Sequence, residues 1–326
     1  MILAGDVGGT KTVLALCDAS GRVGREAVFL CENYPSLEVI LDEFLRGREA
    51  AGLHGACFGV AGPVAEGAAK ITNLPWTIDS RSLSKLLGGI PVTLLNDLQV
   101  TALGSLVLPP ESFAVLQQPT TPPPADGPIA VVAPGTGLGE ALLVSDGKRY
   151  RALASEGGHA DFAPTTDEEI ELLRFLRKLY GGHVSNERVL CGHGIGDLYA
   201  FVRERRGTKE PTWLSAQIAA GDRNAVISKA ALDKTDDACV RALEMFSEIL
   251  GAEAGNAALR GLTTGGVVIG GGIPPKILPA LQTGALLARF NDKGRFSQWT
   301  RTLSVRVTLE SRAALLGAAH YVATSA

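Results

Sequence analysis

Two segments, one in each half of a 326-residue chain, share one pattern. Leu3-Ala-Gly-Asp-Val-Gly-Gly-Thr-Lys-Thr-Val-Leu-Ala-Leu16 and Val131-Val-Ala-Pro-Gly-Thr-Gly-Leu-Gly-Glu-Ala-Leu-Leu-Val144 each run from an apolar strand through a Gly/Thr turn into a second apolar strand. An internal duplication leaves this trace, so the chain is expected to build two related halves. Taken singly, each segment is no more than a hairpin with a tight turn. Taken together they suggest a shared task. Glycines let backbone N–H groups converge on an anion without side-chain obstruction, and a Thr hydroxyl adds a donor. On this reading Gly8, Gly9, Thr10 and Lys11, with Gly135, Thr136 and Gly137, grip a polyphosphate from two sides. Asp6 closes the first strand and can hold Mg²⁺ through water. A third cluster, Gly265-Gly-Val-Val-Ile-Gly-Gly-Gly-Ile273, reads strand, glycines, helix. Its Gly270, Gly271 and Gly272 allow the close backbone approach that an adenine or ribose needs. There is no G-x-x-x-x-G-K-[ST] and no G-x-G-x-x-G after a strand, so the nucleotide is not held by a P-loop or a dinucleotide fingerprint.

At about 150 residues per domain the length suggests two domains. Apolar residues make up 46% and charged residues 20%, which supports two packed cores and excludes disorder as the main state. The net charge of −3 gives no basic excess for nucleic acid or a membrane surface. The five cysteines, Cys17, Cys31, Cys57, Cys191 and Cys239, are odd in number and have no Cys-x-x-Cys. They read as idle thiols in a reducing compartment. The N-terminus lacks a basic n-region, and no apolar run reaches the ~18 residues of a membrane span. A cytoplasmic protein is expected.

Along the chain, strands are expected at Ile2–Ala4, Val13–Cys17, Gly55–Val60, Val92–Leu95, Ile129–Ala133, Glu140–Val144, Val267–Gly270 and Val305–Leu309. Helical spacing covers Leu37–Leu45, Leu98–Val107, much of Thr166–Gly261 including Asp236–Leu259, and Ala313–Val322. Gln117–Pro128, rich in Pro, Thr and Asp, reads as an exposed extended loop. Strands alternating with helices in both halves argue for an α/β fold.

Polar residues cluster in three places. Asn96 and Asp97 end a buried strand, where ligands bind in open α/β sheets. Asp97 can take a proton from a substrate hydroxyl, and equally either residue can cap the following helix. Glu156 and His159 flank two glycines on a loop, a pair suited to neighbouring sugar hydroxyls. Glu187 opens a short helix and by spacing alone reads as a surface residue. Cys191-x-His193 with His159 lacks the paired ligand spacing of a structural zinc site. No G-x-S-x-G elbow or Ser-His-Asp order occurs.

With these residues in view, the sequence resembles the bacterial-type ATP-dependent glucokinases of the actin-like superfamily. The likeness spans nearly the whole chain: Asp6-Val-Gly-Gly-Thr10, Ile71-Thr-Asn-Leu-Pro-Trp76, Leu95-Asn-Asp97, Gly135-Thr-Gly-Leu-Gly139, Glu156-Gly-Gly-His-Ala-Asp-Phe-Ala-Pro164, Glu187-Arg-Val-Leu190, Gly270-Gly-Gly-Ile273, Asp292-Lys-Gly-Arg-Phe296 and Ala314-Leu-Leu-Gly-Ala318. It implies two ribonuclease-H-like α/β domains with an interdomain active-site cleft. The smaller would comprise 1–109 plus 311–326, the final helix returning to it, and the larger 110–310. It implies Asp97 as the catalytic base, with Asn96, Glu156, His159 and Glu187 on glucose. The two Gly/Thr hairpins would hold phosphates and Gly270–Gly272 would lie near adenosine. ATP and Mg²⁺ are the implied cofactors, and a homodimer the implied assembly. Lys11 stands where this branch often has Asn, and Cys191-Gly-His-Gly194 replaces its usual small-residue pattern. The clustered cysteines of the zinc-bearing sugar-kinase/repressor branch are missing after His159.

The reaction expected is transfer of the γ-phosphoryl of MgATP to the 6-hydroxyl of glucose, in which positioning and charge stabilisation dominate. The alternatives are a kinase for another hexose or amino sugar, and a sugar-sensing protein that binds without phosphorylating. A DNA-reading version of the latter would need a helix-turn-helix ahead of the Asp6 hairpin, where the given sequence has only a few residues. A third class, an actin-like assembly ATPase, would leave Asn96, Asp97, Glu156 and His159 without a purpose.

Overall fold

The computed structural model describes residues 1–46, 52–71 and 74–325. Thr72 and Asn73 of the Ile71–Trp76 motif lie outside the described residues. In the first part of the chain, strands β1 (Ile2–Val7), β2 (Lys11–Cys17), β3 (Val23–Leu30), β4 (Gly55–Val60) and a later partner form one sheet. Between them come β5 (Val64–Ala65), β6 (Ala68–Lys70) and β7 (Thr77–Asp79), a small antiparallel sheet of their own. The later partner is β8 (Val92–Asn96), and the order of the main sheet is β3-β2-β1-β4-β8. β1, β2 and β3 pair antiparallel, whereas β1–β4 and β4–β8 are parallel.

The apolar runs of β1 and β2 are nearly continuous because both faces are covered. On one face Leu3, Val7, Leu14 and Leu16 pack with Leu37, Ile40, Leu41 and Phe44 of α1 (Leu37–Phe44) and Leu83 of α2 (Ser80–Leu86). On the other, Ile2, Ala4, Val13, Ala15 and Cys17 pack with Val100 of α3 (Asp97–Gly104). Each fully buried Leu, Ile or Phe here contributes about 1.5–3 kcal/mol.

The second sheet repeats the plan. Its strands are β9 (Phe113–Gln117), β10 (Ile129–Pro134), β11 (Leu138–Ser145), β12 (Tyr150–Ser155), β13 (Gly266–Ile269) and β14 (Val305–Thr308). Their order is β12-β11-β10-β13-β14-β9. Apart from the added β9, the strands occupy the same relative places as β3-β2-β1-β4-β8, as a duplication requires. The inward residues of β10, β13 and β14 meet a large helical layer. That layer comprises α4 (Asp167–Tyr180), α5 (Asn186–Val189), α6 (Gly192–Arg206), α7 (Thr212–Ala220), α8 (Arg223–Leu232), α9 (Asp237–Gly261), α10 (Leu278–Leu281), α11 (Ala285–Asn291) and α12 (Ser297–Thr300). The last helix, α13 (Ala313–Ser325), returns to the first sheet, where Leu315, Ala318 and Ala319 bury against Ile2, Ala4, Cys57 and Val100.

The chain divides into two compact units. One is Met1–Ser112, Leu143–Ala154 and Glu310–Ala326; the other is Phe113–Leu142 and Ser155–Leu309. The family resemblance implies a larger domain that holds all of 110–310. The outer hairpin 143–154 instead groups with the first unit, where it is hydrogen-bonded. Gln99 Nε2 donates to the Ala152 carbonyl at 2.8 Å, and Arg149 Nη1 donates to the Thr324 carbonyl at 3.2 Å. Gln117, read as the start of a loop, ends β9. Its Nε2 donates to the carbonyls of Thr300 and Leu303. Residues 120–126 are exposed.

Candidate active site

In the first unit the Gly8–Thr10 turn joins β1 to β2, with Asp6 paired to Val13 one rung below the hairpin end. The Gly8 N–H donates to the Lys11 carbonyl at 3.0 Å, which closes the turn. Thr10 and Lys11 are exposed, Gly8 and Gly9 half-buried. Cys31, which the sequence left idle, braces this turn: its Sγ lies 3.4 Å from the Gly8 carbonyl and 3.4 Å from Thr12 Oγ1. The Asp6 carboxyl is pushed up to about 6, first by burial and then by the Asp97 carboxylate, with Lys11 pulling the other way. The Asp6 carboxyl, beside Asp97 and next to an open glycine turn, is suited to hold a hydrated divalent cation.

Of Asn96 and Asp97, it is Asn96 that takes the capping role open to either. Asn96 is the N-cap of α3, its Oδ1 accepting from the Leu98 N–H at 2.9 Å. Its Nδ2 donates to the Gly62 carbonyl at 3.1 Å, and Gln99 returns a bond to the Asn96 N–H. Asp97 is the first helical residue, half-buried, with Oδ1 2.9 Å from the Leu98 N–H.

In the second unit the remaining candidates share one neighbourhood. A short turn, Gly157–His159, follows Glu156 and exposes both acid and imidazole. His159 Nε2 is 3.8 Å from Glu156 Oε2, and its Nδ1 is 3.8 Å from Glu187 Oε1. Glu187 is no ordinary surface residue. Its Oε2 accepts from the Leu138 N–H at 2.9 Å, and that oxygen fills the space a side chain at Gly137 would need. One carboxylate therefore touches the Gly135–Gly137 turn and also reaches toward His159. The Gly135 N–H donates to the Gly137 carbonyl at 2.8 Å, and the Gly135 carbonyl accepts from Gly192, the first residue of α6, at 2.9 Å. The third glycine cluster lies against the same turn, for a Cβ on Gly135 would meet the Gly272 nitrogen at 3.9 Å. Gly271 has φ +84 and packs on the Pro134 carbonyl, so any side chain there is excluded twice over. The Gly270 N–H donates to the Val132 carbonyl at 2.9 Å, which ties the cluster to β10.

Beneath this neighbourhood lies a pair that sequence reasoning missed. Glu140 on β11 and Glu253 on α9 are 6% and 3% exposed. The Glu140 carboxyl is pushed up to about 8, by burial first and then by Glu253, with Arg260 opposing. The signal was present as charged residues at inward positions of otherwise apolar segments, but nothing local joins positions this far apart. A carboxyl held above its unfolded value keeps its proton when the unfolded chain has released it, so its ionisation costs stability as pH rises from about 4.5 towards about 8. Glu140→Gln removes this cost. The variant is expected to be more stable at pH 8 by on the order of 1–3 kcal/mol, with little difference near pH 4.5. Thermal unfolding at the two pH values checks this, and an equal difference at both would contradict it.

Residues 3–325 match the glucokinase family. A glucokinase of Nostoc punctiforme is 37% identical over a 335-residue alignment that covers 98% of each chain. Among solved structures, a glucokinase from an Antarctic psychrotroph superposes with a TM-score of 0.86 at 30% identity, over 98% of both chains. A Balamuthia mandrillaris glucokinase, solved with glucose, superposes with a TM-score of 0.81 at 22% identity, over 99% of this chain and 93% of that one; this likeness carries the fold.

Proposed function

This chain belongs to the glucokinase family and is an ATP-dependent glucose kinase with the actin-like α/β fold, and on that premise we propose how its residues divide the reaction. Asp97 is the base. It takes the proton of the glucose 6-hydroxyl as that oxygen attacks the γ-phosphorus; the new O–P bond forms, the bridging bond to the β-phosphate breaks, and ADP leaves. Backbone N–H groups at Gly9–Lys11 and Thr136–Gly137 hold the phosphates, while the N–H groups of Gly8 and Gly135 close the two turns, and Gly270–Gly272 border the adenosine. Asp6 would hold Mg²⁺ through water, and a bound Mg²⁺ neutralises phosphate charge. Asn96 keeps one Nδ2 hydrogen free of the Gly62 carbonyl for a sugar oxygen. Glu156, His159 and Glu187 take other hydroxyls.

The observation that carries this reading is Glu187. One carboxylate bonds the Leu138 N–H beside the glycine turn and stands 3.8 Å from His159, so sugar-type and phosphate-type groups adjoin. The test is ATP consumption against a panel of hexoses and amino sugars, with sugar 6-phosphate identified as product. Turnover of glucose is expected to lead the panel; a preference for another sugar would move the assignment to that acceptor.

Glu156→Ala and Glu187→Ala are expected to weaken glucose at least tenfold more than ATP, because a site built for hydroxyls discriminates strongly when its polar groups go unpaired. Calorimetry with each ligand separates this from misfolding, which would weaken both equally.

The five cysteines are free and buried, which supports a reducing, cytoplasmic setting. The homodimer is carried by the family resemblance, and light scattering on the purified protein tests it.

A further inference from the structure

We propose that Glu140 and Glu253 form a buried acid pair that shares one proton and positions both sugar-binding elements of the second unit. The inference rests on the assignment of Glu156, His159 and Glu187 to glucose. Glu253 Oε2 accepts from Asn186 Nδ2 at 3.1 Å and from Asn256 Nδ2 at 3.2 Å. Asn186 is itself buried and immediately precedes Glu187. Its backbone N–H donates to the Ala160 carbonyl at 2.9 Å, next to His159. Glu140 Oε2 occupies the space that a Cβ on Gly157 would take, so Glu140 packs directly on the turn between Glu156 and His159. One acid thus supports the turn, and the other holds the residue beside Glu187.

The charges do not balance if both acids are ionised. Arg260 Nη2 spans the pair, 3.3 Å from Glu140 Oε2 and in close contact with Glu253 Oε1, but its side chain is half exposed. Lys293 donates instead to Asn256 Oδ1 and the Ala252 carbonyl, each at 2.9 Å, and burial lowers its pKa; Glu169, which shares the small cavity with Glu253, is paired with Arg289. Glu140 Oε1 is buried with no N–H or O–H donor among the described residues. A carboxyl–carboxylate hydrogen bond to Glu253 satisfies it, and such a bond needs one proton. Loss of that proton buries a second negative charge beside Gly157. The pair then repels, and the turn carrying Glu156 and His159 loses its support.

Glucose therefore binds the singly protonated pair better, and its affinity falls on the alkaline side, whereas the Asp6 carboxyl titrates on the acid side. The experiment is calorimetry of glucose with the full chain from pH 7 to 9.5, on the wild type, Glu140→Gln, Glu253→Gln and Glu156→Ala. In the wild type the glucose Kd is expected to rise about tenfold per pH unit once the pair ionises, with proton uptake seen in buffers of different ionisation enthalpy. ADP affinity should change far less. Glu140→Gln cannot ionise, and its glucose Kd should vary less than about twofold between pH 7 and 9 if the pair is the titrating group. A wild-type Kd that is flat to pH 9.5, or a Glu140→Gln or Glu253→Gln curve with the full wild-type slope, overturns the proposal. The wild-type curve decides the matter alone should a variant fail to fold. Undiminished glucose binding by Glu156→Ala would instead overturn the sugar assignment, and this inference with it.

Discussion

Replacing Asp97 with Asn is expected to lower turnover by about 10²–10⁴-fold while leaving the protein folded and able to bind both ligands. The substitution preserves size and the contact with the Leu98 N–H, because an amide oxygen accepts that bond as well as a carboxylate does. The N-cap of α3 is Asn96, so Asp97 is not needed to start the helix. What is lost is the proton acceptor. The effect therefore appears in kcat, with the glucose and ATP affinities nearly unchanged. Steady-state kinetics together with calorimetry separate the two quantities. Near-normal turnover in the Asn variant would reduce Asp97 to a helix-stabilising charge at the N-terminus of α3.

Gly317→Ala is expected to cost about 3 kcal/mol or more of stability although it adds one methyl group and raises helix propensity. α13 crosses α3 with backbones in contact. A Cβ on Gly317 would fall inside van der Waals contact of the Val100 carbonyl, and one on Gly104 would meet the Ala313 carbonyl in the same way. Backbone cannot rotate aside as a side-chain tip can, so one helix must move. α3 begins at Asp97, the residue proposed as the base, and its displacement carries that residue with it. Reduced turnover should accompany the lower unfolding midpoint. Gly182→Ala is the control, since nothing lies within 4 Å of a Cβ there. Its change should stay within about 0.5 kcal/mol. Urea unfolding of both variants tests the contrast, and a Gly317→Ala protein as stable as the control would show that the helices can part at little cost. α9 and α11 use the same device in the other unit, at Gly251 against the Leu286 carbonyl.

The local elements were legible because their causes are local. Gly55–Val60 and the short helix at Glu187 follow from runs and breakers a few residues long. So do the two glycine hairpins, whose repetition pointed to two related halves; the strand order those halves share is seen in the fold. The exposed strands β3 and β12 escaped notice. Residues such as Arg25, Glu26 and Arg151 break their apolar pattern, and pairing to a neighbouring strand holds them.

Residue chemistry and glycine spacing, with no tertiary information, were enough to single out Asp6, Asn96, Asp97, Glu156 and His159 as candidates. They could not say that Asn96 caps and Asp97 does not, because both residue types do both. Nor could they show that Glu187 bonds the Leu138 N–H, that Cys31 braces the Gly8 turn, or that Glu140 meets Glu253 and Arg260. Those partners lie from about twenty to more than a hundred positions apart in sequence. Hydrophobic periodicity fixes which face of an element turns inward. Which polar group it finds there depends on how two elements cross, and only the folded chain decides that.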